Sequence, residues 1–167
     1  AIFGQIGREM LLISATGTQR GPTDFSRVAQ DLGALAGQLV STPGPKIQVY
    51  TPDIVWGDCA PDPLLRTALP LLLRSLDILS PQQCLEIQAI DGYDDAIIRL
   101  CYPADAVERE VLQWMLPDGS ITGPMLNELH TAAWRNHIRV WHEQLQDGRV
   151  CVCLSASLSQ TIPIPGV

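Results

Sequence analysis

The sequence predicts an α+β two-layer sandwich, a mixed and largely antiparallel sheet with about three helices on one face. Three observations lead there. Amphipathic helical patterns and short strand-like runs mix along the chain without a regular strand–helix–strand alternation. Turn clusters at Asp91–Asp95 and Asp147-Gly148 each sit between two strand-like runs, as in hairpins. The chain has 167 residues, 46% of them apolar, which suffices for one well-buried core.

In order, Ile2 to Ala15 reads as a helix, with Ile6, Met10 and Ile13 near helical spacing and Gly4 and Gly7 weakening it. Gly17 to Pro22 is a turn-rich break. Thr23-Asp24 offers an N-cap for an amphipathic helix carrying Phe25, Val28, Leu32, Leu35, Ala36 and Leu39, which Pro43-Gly44-Pro45 stops. Lys46 to Tyr50 alternates as a short strand, and Ile54 to Trp56 reads as another. Asp62-Pro63 reads as an N-cap followed by proline at the first helical position. Leu65, Leu69, Leu72, Leu76 and Leu79 then form one apolar stripe. Pro70 lies inside this helix, where it costs roughly 3 kcal/mol relative to Ala unless the helix kinks; a kink is expected there.

Cys84 to Ile90 and Ala96 to Leu100 read as a hairpin around Asp91–Asp95. Asp105 caps a helix with Val107, Val111, Trp114 and Met115. Thr122 or Gly123 opens another, with Leu126, Leu129 and Ala133 on its face. Ile138, Val140 and His142 alternate as a strand, and Val150, Val152 and Leu154 return after Asp147-Gly148. These elements divide the chain into a helix and linker at 1–22, a main domain at 23–158 and a loose tail at 159–167.

The net charge of −7 and the lack of a basic run argue against sequence-independent nucleic-acid binding. The longest apolar stretch, Leu69 to Leu73, is too short to span a bilayer, so no membrane contact is read for this domain. The start Ala1-Ile2-Phe3 has no basic region before an apolar one, so no signal peptide is read; lacking Met, the chain reads as cut from a longer protein. Five cysteines without a CxxC, four of them (Cys84, Cys101, Cys151, Cys153) in strand-like runs, read as small hydrophobes in a reducing cytoplasm. No spacing joins Cys59 or the other cysteines with His130, His137 and His142 into a zinc site, and no metal site is expected. Asp91, Asp94 and Asp95 lack a full Ca²⁺-loop pattern and read as a solvated turn. Among the aromatics, Trp114 reads as core, whereas Trp134 and Trp141 fit either core or an exposed recognition patch.

The stretch Val55 to Leu100 carries a family likeness. Gly57-Asp58, the leucine-rich helix, Leu79-Ser80-Pro81, the following hairpin and the closing pair Ile138-Arg139-Val140 and Gly148 to Leu154 stand in one order. That order resembles the catalytic, ATP-binding domain of sensor histidine kinases, over about Asp24 to Leu158. The resemblance implies that family's fold, and, in an active member, ATP with Mg²⁺ as cofactor. Setting Ser80-Pro81 against the family's Thr-Pro puts Leu71 and Ser75 where its Asn residues hold Mg²⁺ and phosphates. Leu71 offers no oxygen and Ser75 a single neutral one, whereas Mg²⁺ needs near-octahedral oxygen ligation. The family's Asp-x-Gly-x-Gly reads here Tyr102-Pro103-Ala104-Asp105-Ala106, with Tyr102 at the Asp position and Ala104 and Ala106 at the glycines. Its phosphate-cradling Gly-x-Gly-Leu reads Ile121-Thr122-Gly123-Pro124, in which Gly123 alone survives and Pro124 removes an N–H. No other phosphate-cradling motif occurs.

These positions imply a degenerate domain with no catalytic residue and no cofactor. It would serve two-component-type signalling as an interaction or regulatory module, with 104–123 presented to a partner. The partner implied is a response regulator or the parent's own dimerising helices, with a homodimer expected where the parent carries that helical hairpin. Tyr102 with Trp56 is a candidate lining for a remnant pocket. Two other readings stand beside this one: an active ATP-binding kinase domain with a divergent pocket, and an unrelated α+β ligand-binding domain.

Overall fold

In the computed structural model the described residues are 20–103 and 131–159. Five strands form one sheet: β2 (Lys46–Tyr50), β4 (Cys84–Asp91), β5 (Asp95–Tyr102), β7 (Val150–Ser157) and β6 (Arg139–Gln144), in that spatial order. β2 and β4 run parallel and the other pairs antiparallel, so the sheet is mixed. A two-stranded ribbon of β1 (Pro22–Asp24) and β3 (Trp56–Asp58) stands beside it. Helices α1 (Phe25–Leu39) and α2 (Pro61–Ile78) share one apolar core with the sheet, and residues 131–135 end a further helix. This is the fold class read from the sequence. The helices expected at 2–15 and around 105–115, and the start of that near Gly123, lie outside the described residues.

Local chemistry accounts for the ends of the elements. The Asp24 carboxylate accepts the Arg27 N–H at 3.1 Å, capping α1 as expected. Phe25, Val28, Ala29, Leu32, Leu35 and Ala36 then form its buried face. Thr23 Oγ1 donates to the Cys59 carbonyl at 2.7 Å, and Ser26 Oγ donates to that of Asp53 at 2.6 Å. These bonds fasten the start of α1 to the segment around β3. A Cβ on Gly57 would come within 2.7 Å of Phe25 Cζ, so the ribbon approaches α1 only because residue 57 is glycine.

Several boundaries differ from the sequence reading. Pro22, expected in a break, begins β1, because its strand closes against β3. The strand expected at Ile54–Trp56 lies at Trp56–Asp58, where that pairing places it. The N-cap of α2 is Ala60 with Pro61 at the start, not Asp62 with Pro63; Asp62 sits in the first turn, favourable to the helix dipole. α1 ends at Leu39, before the Pro43-Gly44-Pro45 stop. The buried stripe of α2 is Leu64, Leu65, Ala68, Leu71, Leu72 and Ser75; Leu69 and Leu76 are half-buried flanks. The helix continues through Pro70 to Ile78.

The cysteines also depart from expectation. Cys101 on β5 and Cys151 on β7 face each other in register, Cα–Cα 4.1 Å, and form a disulfide. That bond is at odds with the reading of both as reduced thiols in a reducing compartment. The pair escapes a sequence reading because 50 residues separate its members. Cys59 and Cys153 are buried free thiols, as a small apolar side chain would be.

The core sets three expectations for stability. Non-reducing peptide mapping should link Cys101 to Cys151, and Cys101→Ser should destabilise the domain by up to about 4 kcal/mol on the loop-entropy argument, read by urea unfolding. Tyr102 is 0% exposed, and its hydroxyl has no hydrogen-bond partner among the described residues. Tyr102→Phe should therefore leave stability unchanged or raise it by about 1 kcal/mol. Burial, aided by Asp58, pushes the Cys59 thiol from 9.0 up to about 12, and burial, aided by Glu143, does the same to Cys153. The folded state thus holds protons the unfolded chain releases, so stability should be intact below pH 9 and fall as pH rises toward about 12. Cys59→Ala and Cys153→Ala should each flatten that fall.

Candidate functional site

The positions singled out in the sequence fall at the end of the sheet where β5 finishes and near the last turns of α2. Leu71 and Ser75 are both 0% exposed and turned into the core. The Ser75 hydroxyl donates to the Leu71 carbonyl at 2.8 Å, so it is spent on its own helix. Thr67 does the same to Pro63 at 2.8 Å. Tyr102, the last residue of β5, packs into the same core, and burial holds its hydroxyl well above the usual phenol range. Ala104, Ala106 and Gly123 lie outside the described residues.

Chemically the three described positions are apolar or already engaged. Leu71 contributes no oxygen, Ser75 a hydroxyl already engaged, and Tyr102 a neutral phenol in an apolar setting. These three side chains do not fit Mg²⁺, which takes oxygen ligands at fixed octahedral geometry. Among the described residues no group of three His, Cys, Asp or Glu could hold a metal ion.

Tyr102 and Trp56 do not line one pocket. Tyr102 pairs with Val150 at one end of β7, whereas the Trp56 carbonyl accepts the Ser159 N–H at 2.8 Å beyond its other end. Seven residue steps along a strand separate those ends, about 23 Å. The Asp91 turn closes as a hairpin: Asp91 Oδ1 accepts the Tyr93 N–H at 2.9 Å, and Asp95 is paired with Arg139. His130 and Trp114 lie outside the described residues; Trp134 is 64% exposed, and Trp141 is half-buried under the Arg139 guanidinium, 5.9 Å from its ring centre.

Sequence reasoning missed a concavity at the other end of the sheet. A cleft of about 330 Å³ is lined by Arg20, Trp134, His137, Arg139, Ala156 and Ser157, from separate stretches of the chain. Only the sheet closure brings them together, so no motif spacing could have revealed it. No helix among the described residues is long and apolar enough to cross a membrane.

No protein-family model matches the chain, and no curated protein does. Solved structures do. The catalytic domain of histidine kinase ThkA is 10% identical with a TM-score of 0.64, over 83% of this chain and 96% of that one. A histidine kinase from Burkholderia phymatum STM815 is 12% identical with a TM-score of 0.61, over 95% of this chain and 78% of that one. ThkA in complex with the response regulator protein TrrA gives 10% identity and a TM-score of 0.59, over 93% of this chain and 47% of that one. At such identities the likeness is one of architecture: the chain has the fold of the catalytic domains of sensor histidine kinases.

Proposed function

We propose that this domain is a degenerate histidine-kinase-like module that works in two-component-type signalling by contacting protein partners, without useful ATP binding or phosphoryl transfer. The observation that carries this reading is the burial of Leu71, Ser75 and Tyr102, all 0% exposed. By the resemblance, those positions hold the metal-binding and base-reading side chains of an active member. Here a methyl-rich side chain, a self-bonded hydroxyl and a buried phenol stand in their place. Each lost polar contact costs about 1–3 kcal/mol. Together the losses move a micromolar site into the millimolar range.

The partner of this reading is a protein. ThkA has been solved with a response regulator protein, and a response regulator or the parent's own dimerising helices is the partner class proposed here. A cytoplasmic setting belongs to the same proposal, and the Cys101–Cys151 disulfide weighs against it. In calorimetric titration of ATP and ADP with and without Mg²⁺, the expected result is no saturable heat below millimolar nucleotide and no thermal stabilisation. Micromolar binding would overturn the proposal and call for a kinase assay.

A further inference from the structure

We infer that the cleft lined by Arg20, Trp134, His137, Arg139, Ala156 and Ser157 is a binding site for small aromatic carboxylates. It is independent of the kinase-like site. Ala156 and Ser157 pair with Ala96 and Asp95, and Asp95 stands seven residue steps along β5 from Tyr102, about 23 Å away.

The lining chemistry is that of an aromatic anion's complement. The lining residues include two arginines and a histidine and, among the described residues, no acidic one, in a chain whose net charge is −7. Both guanidiniums are held by an ion pair. Arg20 NH2 lies 3.0 Å from Asp58 Oδ2, and Arg139 NH2 lies 2.5 Å from Asp95 Oδ2, with its guanidinium over Trp141. Each ion pair engages one NH2 group, and a guanidinium carries five donors in a fixed fork suited to a carboxylate. Holding the forks in place beforehand lowers the ordering cost of binding. Ser157 adds a hydroxyl donor, and buried Ala156 is the apolar floor.

Trp134 supplies the flat apolar wall. It is 64% exposed although it is among the largest apolar side chains of the domain. Its position is set by the end of the helix at 131–135. The Ile138 N–H bonds the Ala133 carbonyl at 2.9 Å and the His137 N–H bonds that of Trp134 at 3.1 Å, a Schellman closure. His137 takes the left-handed position, φ 64°, where glycine is usual. The turn thereby fixes the backbone that carries both Trp134 and His137 to the cleft. A volume of about 330 Å³ suits a ligand of one or two fused rings with one acidic group.

The test is calorimetric titration of the domain with naphthoate, its neutral amide naphthamide, and inorganic phosphate. Naphthoate should bind with a submillimolar Kd, and the amide and phosphate at least about tenfold more weakly. Trp134→Ala, Arg139→Gln and His137→Gly should each weaken naphthoate binding severalfold or more. Trp134→Ala removes an exposed side chain and His137→Gly suits its backbone, so both variants should fold, as checked by their melting temperatures. The inference is overturned if naphthoate fails to bind at millimolar concentration, if the amide or phosphate binds equally well, or if folded Trp134→Ala and His137→Gly bind naphthoate like the wild type. ATP titration tests the other end of the sheet, so either reading can fail alone.

Discussion

Burial of β5 on both faces is the constraint on which the rest depends. Its eight residues pair in register with β7 on one side, and six of them with β4 on the other. Ala96, Ile98, Leu100 and Tyr102 point to the helices and belong to the main core. Ile97 and Cys101 point the other way into a second apolar cluster with Cys151 and Cys153. A strand covered on both faces admits no register slip, because a shift of one residue would exchange the two sets. The helices, the ribbon and the cleft take their places from this strand.

On the second face, paired charged side chains lie over small apolar ones. Arg99 on β5 reaches Glu143 on β6 at 2.6 Å, passing over β7, where Cys151 and Cys153 are 0% exposed. Arg149 pairs with Glu86 of β4, at the end of the sheet that holds the disulfide. The paired Arg99 and Glu143 side chains lie against Cys153 and are themselves largely buried. The Glu143 carboxylate that helps cover Cys153 also disfavours its thiolate, so the same arrangement leaves that thiol unreactive. The paired charges contribute modestly by themselves. Their larger effect is to shield the apolar row beneath.

Local signals were readable in the sequence where one residue set decides the structure. Asp24 and the spacing of Phe25, Val28, Leu32 and Leu35 define α1, and Asp147-Gly148 defines a turn in which Gly148 adopts φ 89°. Reading failed where two solutions fit equally. Pro61 and Pro63 both suit a first helical turn, and a run with leucines at 64, 65, 69, 71, 72, 73 and 76 supports more than one stripe. The choice falls to tertiary packing, which selects a face containing Leu64, Ala68, Leu71 and Ser75. β1 is three residues long and exists only through its pairing with β3. Of the candidate site, the residue types at Leu71, Ser75 and Tyr102 were legible. The hydroxyl turned back on its helix, the cross-strand disulfide and the Arg20–Trp134–His137–Arg139 cleft were not, since each depends on how the folded chain brings its parts together.

The two ends of the sheet differ in how far packing accounts for their residues. A leucine at position 71, where the resemblance puts a metal-binding side chain, adds apolar surface to a helix already facing the core, and it is fully buried there. Such a residue strengthens packing, so selection for stability alone would retain it. An architecture does not by itself fix a function. At the far end, by contrast, a tryptophan stands largely exposed and a histidine occupies a backbone position that glycine fills at lower cost. Neither choice improves the packing. The proposed binding site gives both residues a use outside stability.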